Sequence, residues 1–187
     1  LVDGDRICLV EIGPSNSDDS NYNGLEVDDV TVTVQDDDQI GISVAPTSLT
    51  VSEPSGSATF AIMLASQPAD DVFVPLTASN NQCSVWPATA VLNAANWARG
   101  TTVTVTAVND AVADGSRTCT IKTGPTSSAD GNFHGLDPAD VLVTVEDDDR
   151  VGIVVAPTNL AVREPNGSGS AVFSLTSEPT ATVSIGL

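Results

Sequence analysis

The chain has 187 residues, of which 25 are acidic and six are basic, and its formal net charge is −19. A surface this acidic repels phosphate groups, and the few Lys and Arg residues form no basic stripe, so nucleic acid is excluded as a partner. No apolar run approaches the roughly 20 residues that a membrane-spanning helix requires, so this segment is expected not to insert into a membrane.

The sequence repeats itself at an offset of 111 residues, as the match of Asp36 to Asp147 shows. Residues 36–46 read DDDQIGISVAP and residues 147–157 read DDDRVGIVVAP. A period of this length predicts an array of domains that each bury their own core. Both ends fall inside a repeat, so we expect the chain to be a piece of a longer protein. The predicted units are the C-terminal part of a first repeat (1–38), a complete repeat (39–149) and the N-terminal part of a third (150–187).

Within the complete repeat, short strands follow one another. Apolar residues alternate with other residues in 58–64, in 102–107 and in 141–145, which is the two-residue period of a half-buried strand. The Ala-rich stretch 88–98 is weakened as a helix by its asparagines, and no sustained helical period is present. About seven short strands separated by turns predict an all-β fold, an antiparallel immunoglobulin-like sandwich.

The third copy matches the second less regularly after its first strand. LTVSEPSGSATF from Leu49 is followed one period later by LAVREPNGSGSAVF from Leu160. We interpret the later copy as carrying two extra residues, with the register restored at Pro179.

The period explains the odd number of cysteines. Cys8 and Cys119 occupy the same position in successive repeats, and the counterpart of Cys83 falls upstream of residue 1. We therefore predict a disulfide between Cys83 and Cys119, worth about 3 to 4 kcal/mol on the chain-entropy model. Two buried free thiols are the alternative, but an acidic array of secreted type is a setting in which disulfides persist. The spacing of these cysteines and His134 does not fit a zinc site.

Acidic residues are concentrated where one repeat passes into the next. Asp36–Asp38 and Asp147–Asp149 each follow a predicted strand and lead into the first strand of the following repeat. Neighbouring carboxylates repel one another, so each run is either hydrated or neutralised by a cation. Calcium suits such a run because it accepts about six to eight oxygen ligands in flexible geometry. A solvated acidic linker remains the alternative interpretation.

Several short sequence segments, in the order in which they occur, resemble those of a Calx-beta domain. This domain is the immunoglobulin-like sandwich that occurs in tandem in large bacterial surface proteins. The sequences of residues 45–49, 95–97 and 135–140 are most similar to those of bacterial extracellular Calx-beta domains. The resemblance covers the whole period. Its matching segments are Val51–Glu53, Gly56–Phe60, Pro68–Val74, Thr102–Asp110 and Asp147–Asp149.

The resemblance implies a calcium site at one end of the sandwich, where the first-strand glutamate, an acidic loop and the terminal aspartates converge. Because Asn109 stands where an acid is expected, we expect about one or two ions per junction, with dissociation constants of about 0.1 to 1 mM. The implied ligands of the complete repeat are Glu53, Asp110, Asp114, Asp147, Asp148 and Asp149. Those of the preceding junction are Asp3, Asp36, Asp37 and Asp38.

The resulting hypothesis is a non-catalytic segment of an extracellular or cell-surface stalk, filament or adhesin whose junctions are stiffened by calcium. Its partners would be the neighbouring repeats of the same chain. One alternative is a binding module for a surface glycan or protein, and another is a subunit that joins other copies in a self-assembling fibre. An enzyme is not expected, because His134 becomes Asn23 in the other copy and no catalytic triad recurs with the period.

The aromatic residues allow two interpretations. Trp86 and Trp97 could form an exposed platform for a sugar, but in a chain with 4% aromatic residues we expect them to fill the core. Tyr22 and Phe133 occupy equivalent positions and are predicted to pack near a turn.

Overall fold

The computed structural model describes residues 1–186, which form fourteen strands and no helix. Accordingly, the described residues include no helix capable of spanning a bilayer. The first partial repeat contains β1 (Arg6–Val10) and β2 (Val30–Val34). The complete repeat contains β3 (Ile42–Ala45), β4 (Ser48–Ser52), β5 (Ser57–Leu64), β6 (Val72–Ala78), β7 (Cys83–Trp86), β8 (Thr89–Leu92), β9 (Thr101–Ala107), β10 (Arg117–Thr123), β11 (Ser127–Ser128) and β12 (Val141–Glu146). The third contains β13 (Ile153–Ala156) and β14 (Val172–Leu175).

The complete repeat is a β-sandwich of two sheets, and its all-β fold confirms the prediction. One sheet has the order β3-β5-β9-β7. In the other, β6, β10, β12 and β4 lie side by side, and β8 and the short β11 each pair with β6. The ten strands exceed the predicted seven, because strands of two to four residues such as β11 and β8 are too short to show a clear alternation.

One strand pair departs from the predicted antiparallel arrangement. β4 runs parallel to β12, with Ser48 opposite Leu142 and Ser52 opposite Glu146. After β3 the chain leaves the first sheet at Pro46 and crosses to the second, where it lies beside the last strand of the repeat in the same direction. In chain order, β4 is the first strand of the second sheet and β12 is the last. They are therefore neighbours, and both end at the same end of the sandwich.

Alternation along the strands creates the core. Val103 and Val105 on β9 are fully buried, as are Val141 and Val143 on β12, while the residues between them face outward. This confirms the two-residue period predicted for these segments. Burying one such side chain stabilises the fold by about 1.5 to 3 kcal/mol before conformational entropy is counted. The inward side chains of both sheets thus form one apolar layer.

A disulfide crosses that layer. Cys83 on β7 and Cys119 on β10 are bonded, with their Cα atoms 6.1 Å apart, and the two side chains are buried. Because β7 and β10 belong to different sheets, the bond joins the two halves of the sandwich covalently. Cys8 is exposed and has no disulfide partner within residues 1–186.

The two tryptophans occupy different environments, and the prediction of a core position is wrong for Trp86. Trp97 is half-buried and packs against the core, whereas Trp86 is 75% exposed. The physical reason is the register of β7: Cys83 points inward to its disulfide, so alternation directs Ser84 and Trp86 outward.

Phe133 and Tyr22 also differ, although they occupy equivalent positions. Phe133 is fully buried, and the hydroxyl of Thr126 donates a hydrogen bond of 2.5 Å to its carbonyl. Tyr22 is 62% exposed, so its predicted packing role is wrong in this chain. The hairpin of β1 and β2 has no second sheet within the described residues, and a ring in Tyr22's position therefore has no core to enter.

The partial repeats keep the strand pairing of the complete one. Arg6 lies opposite Val34, as Arg117 lies opposite Val145 one period later. In the third copy, Phe173 lies opposite Val155, and these positions correspond to Ile62 and Val44 without any insertion. The interpretation of two extra residues is therefore wrong: the strand register conserves the period, and the phenylalanine moves two places along the strand.

Gly100 closes the turn before β9 in a conformation that favours glycine. Its φ is 80°, and a Cβ atom there would lie 2.5 Å from the carbonyl oxygen of Ile62. We expect Gly100→Ala to lower the free energy of unfolding by about 2 kcal/mol or more, through backbone strain and this contact. Urea unfolding would measure the loss. The control is Gly131→Ala, whose added Cβ would meet nothing within 4 Å; equal losses for both variants would contradict the explanation.

A candidate cation site at the end of the sandwich

The candidate site forms where β4 and β12 end. Glu53 follows β4 directly and Asp147 follows β12 directly, and the parallel pairing places these strand ends side by side. The backbone N–H of Glu53 donates a hydrogen bond of 2.9 Å to the carbonyl of Glu146. A residue near the start of the repeat therefore meets residues at its end.

Four carboxylates converge at this edge. One side-chain oxygen each from Glu53, Asp147, Asp148 and Asp149 lies within 4.8 Å of the others. Four like charges at such distances repel one another strongly unless a cation or protons neutralise them. The donor set consists of oxygen alone, which is the preference of hard cations such as calcium.

Glu53 is the most buried residue of the cluster. It is only 9% exposed, and its Oε2 atom has no hydrogen-bond partner within the described part of the chain. Burial raises the pKa of Glu53, and the carboxylates of Asp110 and Asp147 raise it further, against the opposing effect of the Asp110 backbone N–H. A buried carboxylate oxygen without a partner is costly, and a bound cation would satisfy it.

Asp149, in the same cluster, also has a buried carboxylate oxygen without a partner: its Oδ2 atom makes no hydrogen bond among residues 1–186. Burial raises the pKa of Asp149, and the neighbouring carboxylates of Asp148 and Asp147 raise it further. Two oxygens that lack partners therefore belong to one group of carboxylates.

Asp147 has the opposite role, since its carboxylate is held by backbone N–H groups. Its Oδ1 accepts a hydrogen bond of 2.8 Å from Asp149, and its Oδ2 accepts one of 2.7 Å from Gly115. These hydrogen bonds keep the pKa of Asp147 below its usual value. Asp147 is thus fixed as an anion and ties the 110–115 loop to the end of β12.

The same anchor recurs one period earlier. Asp36 accepts hydrogen bonds of 2.6 Å from the N–H of Gly4 and 3.0 Å from that of Asp38. Backbone N–H groups, that of Asp38 first, lower the pKa of Asp36. Asp36, Asp37 and Asp38 also form a group of close carboxylate oxygens, and Asp38 contacts the N-terminal amine.

The remaining predicted ligands lie beside the clusters rather than in them. Asp114 forms an ion pair with Arg117, with 2.9 Å between Oδ2 and Nε, and Asp3 pairs with Arg6 in the equivalent way. Asp110 is near enough to raise the pKa of Glu53, but its Oδ1 accepts a hydrogen bond of 2.8 Å from the N–H of Val112. Glu53 and Asp147–Asp149 are therefore the grouped carboxylates of the complete repeat.

Sequence reasoning missed the glycines that support the site. Gly4 and Gly115 both have positive φ, 75° and 74°, and both donate to an aspartate of the terminal run. The signal was present as the Asp-Gly pair that recurs at 3–4 and 114–115.

No known protein-family model matches the chain, and no curated protein matches it. Among solved structures, it is similar to WR4, a C. elegans MSP family member, at 15% identity over 57% of this chain and 96% of that one, with a TM-score of 0.37. The E. coli chaperone DraB is 8% identical over 76% and 88%, with a TM-score of 0.40. Domains 4 and 5 of the S-layer protein SbsC are 20% identical over 64% and 51%, with a TM-score of 0.33. Likenesses of this size carry no inference about function.

Proposed function

We propose that the chain is a non-catalytic segment of tandem, Calx-beta-like repeats in an extracellular stalk, filament or adhesin, and that calcium stiffens the junctions between repeats. One observation carries the proposal: the buried Oε2 of Glu53 has no partner among the described residues and belongs to a group of four close carboxylates. A solvated linker would not require a glutamate that is 9% exposed.

Calcium fits this set of ligands better than other common cations do. All four donors are carboxylate oxygens from a strand end and from consecutive residues, and calcium tolerates the irregular geometry that such residues offer. Zinc prefers nitrogen and sulfur ligands, and magnesium requires a near-ideal octahedron. In the bound state Glu53 and Asp147–Asp149 would hold the ion, and backbone carbonyls or water would complete its coordination.

The ion would act on the junction because its ligands adjoin the next repeat. Three residues, 150–152, separate Asp149 from β13. The loop anchored by Asp147 also contacts the third repeat, since the N–H of Glu178 donates a hydrogen bond of 2.6 Å to the carbonyl of Ala111. By linkage, a cation that binds only the ordered arrangement favours a fixed junction and a folded domain.

An extracellular or cell-surface setting supports the same proposal. The buried disulfide between Cys83 and Cys119 is a feature of oxidising environments, where calcium is also present at millimolar levels. A high negative charge keeps neighbouring copies soluble.

A calcium titration of the protein, followed by urea unfolding, tests the proposal. With a dissociation constant of about 0.1 to 1 mM, about 5 mM calcium should raise the free energy of unfolding by roughly 1 to 2 kcal/mol. Glu53→Gln should remove most of this increase, because it takes away a charged ligand from the buried side of the site.

Asp71→Asn is the matched control, because it also removes one negative charge but lies outside both carboxylate clusters. Its response to calcium should equal that of the unmodified protein. The proposal fails if calcium does not change unfolding, or if Glu53→Gln responds as the control does. The four carboxylates would then be a hydrated end of the sandwich.

A further inference from the structure

The outer face of the four-stranded sheet differs from the rest of this acidic protein. On the described strands β3, β5, β7 and β9, no outward-facing residue is charged. The other sheet carries Lys122 and Glu146 among its exposed residues. In a chain of net charge −19, a whole sheet face without charge is suited to a neutral partner.

Hydroxyl side chains and one indole occupy this face in two rows across three strands. In the first row Trp86 lies opposite Thr104, which lies opposite Thr59. In the second, Ser84 lies opposite Thr106, which lies opposite Ser57. We call these six residues the hydroxyl face. Each row spans about 10 Å, given the separation of neighbouring strands.

The hydroxyls of this face are available to a ligand. Within the described residues, the side-chain hydroxyls of Thr59, Thr104 and Thr106 make no hydrogen bond, and that of Ser84 makes only a long one of 3.4 Å to the carbonyl of Thr106. Each hydroxyl can donate one hydrogen bond and accept two. Such groups match a partner that is itself rich in hydroxyls.

Trp86 adds the second element of recognition. Its side chain is 75% exposed at the end of β7, beside the threonine rows. Tryptophan, with tyrosine and arginine, is one of the residue types enriched among the residues that carry most of the binding energy of interfaces. The electron-rich face of the indole attracts positively polarised C–H groups, which pyranose rings present on one side.

We propose that the hydroxyl face binds a neutral polysaccharide, with one sugar ring stacked on Trp86 and the hydroxyls of the same and the next sugar bonded to Thr104 and Thr59. The absence of charge disfavours acidic glycans and ionic protein surfaces. The extent of a row corresponds to two linked pyranose rings. This binding lies on a sheet face and is independent of the calcium proposal, which concerns the end of the sandwich.

Affinity gel electrophoresis of the protein with embedded hydroxyethylcellulose, laminarin, galactomannan or xylan tests this proposal. We expect at least one of these neutral polysaccharides to retard the protein. Trp86→Ala should weaken that binding by about tenfold or more, because stacking and the buried area of the indole are both lost. Thr104→Val should weaken it less, since it removes one hydroxyl and keeps the shape.

Phe73→Ala is the control, because Phe73 is an exposed aromatic residue, 42% accessible, on the other sheet. It should leave binding unchanged. Far-UV circular dichroism and the urea midpoint should be unaffected by Trp86→Ala, so a loss of binding would not reflect unfolding. No retardation by any of the four polysaccharides would overturn the proposal, as would equal effects of Trp86→Ala and Phe73→Ala.

Discussion

Replacing Cys83 and Cys119 together with alanine is expected to lower the free energy of unfolding of residues 39–149 by about 4 kcal/mol. The two cysteines are separated by 36 residues, and their bond restricts the unfolded chain over that loop. The bond also joins the two sheets through the middle of the core, so its loss removes packing between β7 and β10. Urea unfolding followed by circular dichroism measures the difference.

Cys8→Ala provides the matched control, since Cys8 is the exposed equivalent of Cys119 and lacks a disulfide partner within residues 1–186. It should change the free energy of unfolding by less than about 0.5 kcal/mol. A reducing agent should reproduce the loss in the unmodified protein and should have no effect on the double variant. A double variant as stable as the Cys8 variant would contradict the importance of the bond.

Phe133→Ala is expected to lower the free energy of unfolding by about 3 to 4 kcal/mol. The Phe133 side chain, in the 126–136 loop, is fully buried in the apolar core, and its removal would leave a cavity there. The loop itself is fixed by Thr126, whose hydroxyl donates to the Phe133 carbonyl and accepts a hydrogen bond of 2.9 Å from the N–H of Leu136. Thermal or urea unfolding would show the change.

The comparison for this variant is Tyr22→Ala, at the equivalent position of the first partial repeat. Tyr22 is 62% exposed, so its truncation should cost less than about 0.5 kcal/mol. The difference between the two losses reports the effect of burial, because the two residues have a similar local sequence and occupy the same position in the repeat. Similar costs for both variants would show that the loop does not close over a core.

The fold could be predicted largely because alternation and period are local properties of the sequence. Val103 with Val105, and Val141 with Val143, face the core as their spacing predicts. The parallel pairing of β4 with β12 could not be obtained in this way. It depends on a chain crossing between sheets at Pro46, and no local pattern records which sheet a strand joins.

Trp86 illustrates a different limit of sequence reasoning. A large aromatic residue in a chain with few of them was assigned to the core on its residue type alone. The position of Cys83, three residues earlier and fixed inward by its disulfide, places Trp86 on the opposite face. Combining the disulfide prediction with the strand period would have given the correct side of the sheet.

For the candidate site, the sequence supplied residue types and order but not distances. The aspartate run and Glu53 were recognisable, and a resemblance suggested that they meet. Neither the burial of Glu53 nor the separation of Asp114 from the cluster by its ion pair with Arg117 follows from spacing. Both depend on how the strand ends and the 110–115 loop pack together.

The parallel pairing of β4 and β12 determines how this repeat would respond to mechanical tension along the chain. A pull from the preceding repeat enters at β3, which pairs with β5, and reaches β4 at Ser48 once β3 has detached. A pull from the following repeat reaches β12 at Glu146. The two pulls act in opposite directions along neighbouring strands, so the five paired positions are sheared together rather than unzipped one after another.

If the ladder does yield, the disulfide limits how far the repeat can extend. The 36-residue loop between Cys83 and Cys119 stays closed. The length that this loop would have when fully extended, about 120 Å, is therefore not added to the chain. The repeat would thus lengthen by a fixed, partial amount under load and keep β7, β8, β9 and the first residues of β10 in one covalent ring from which it can refold.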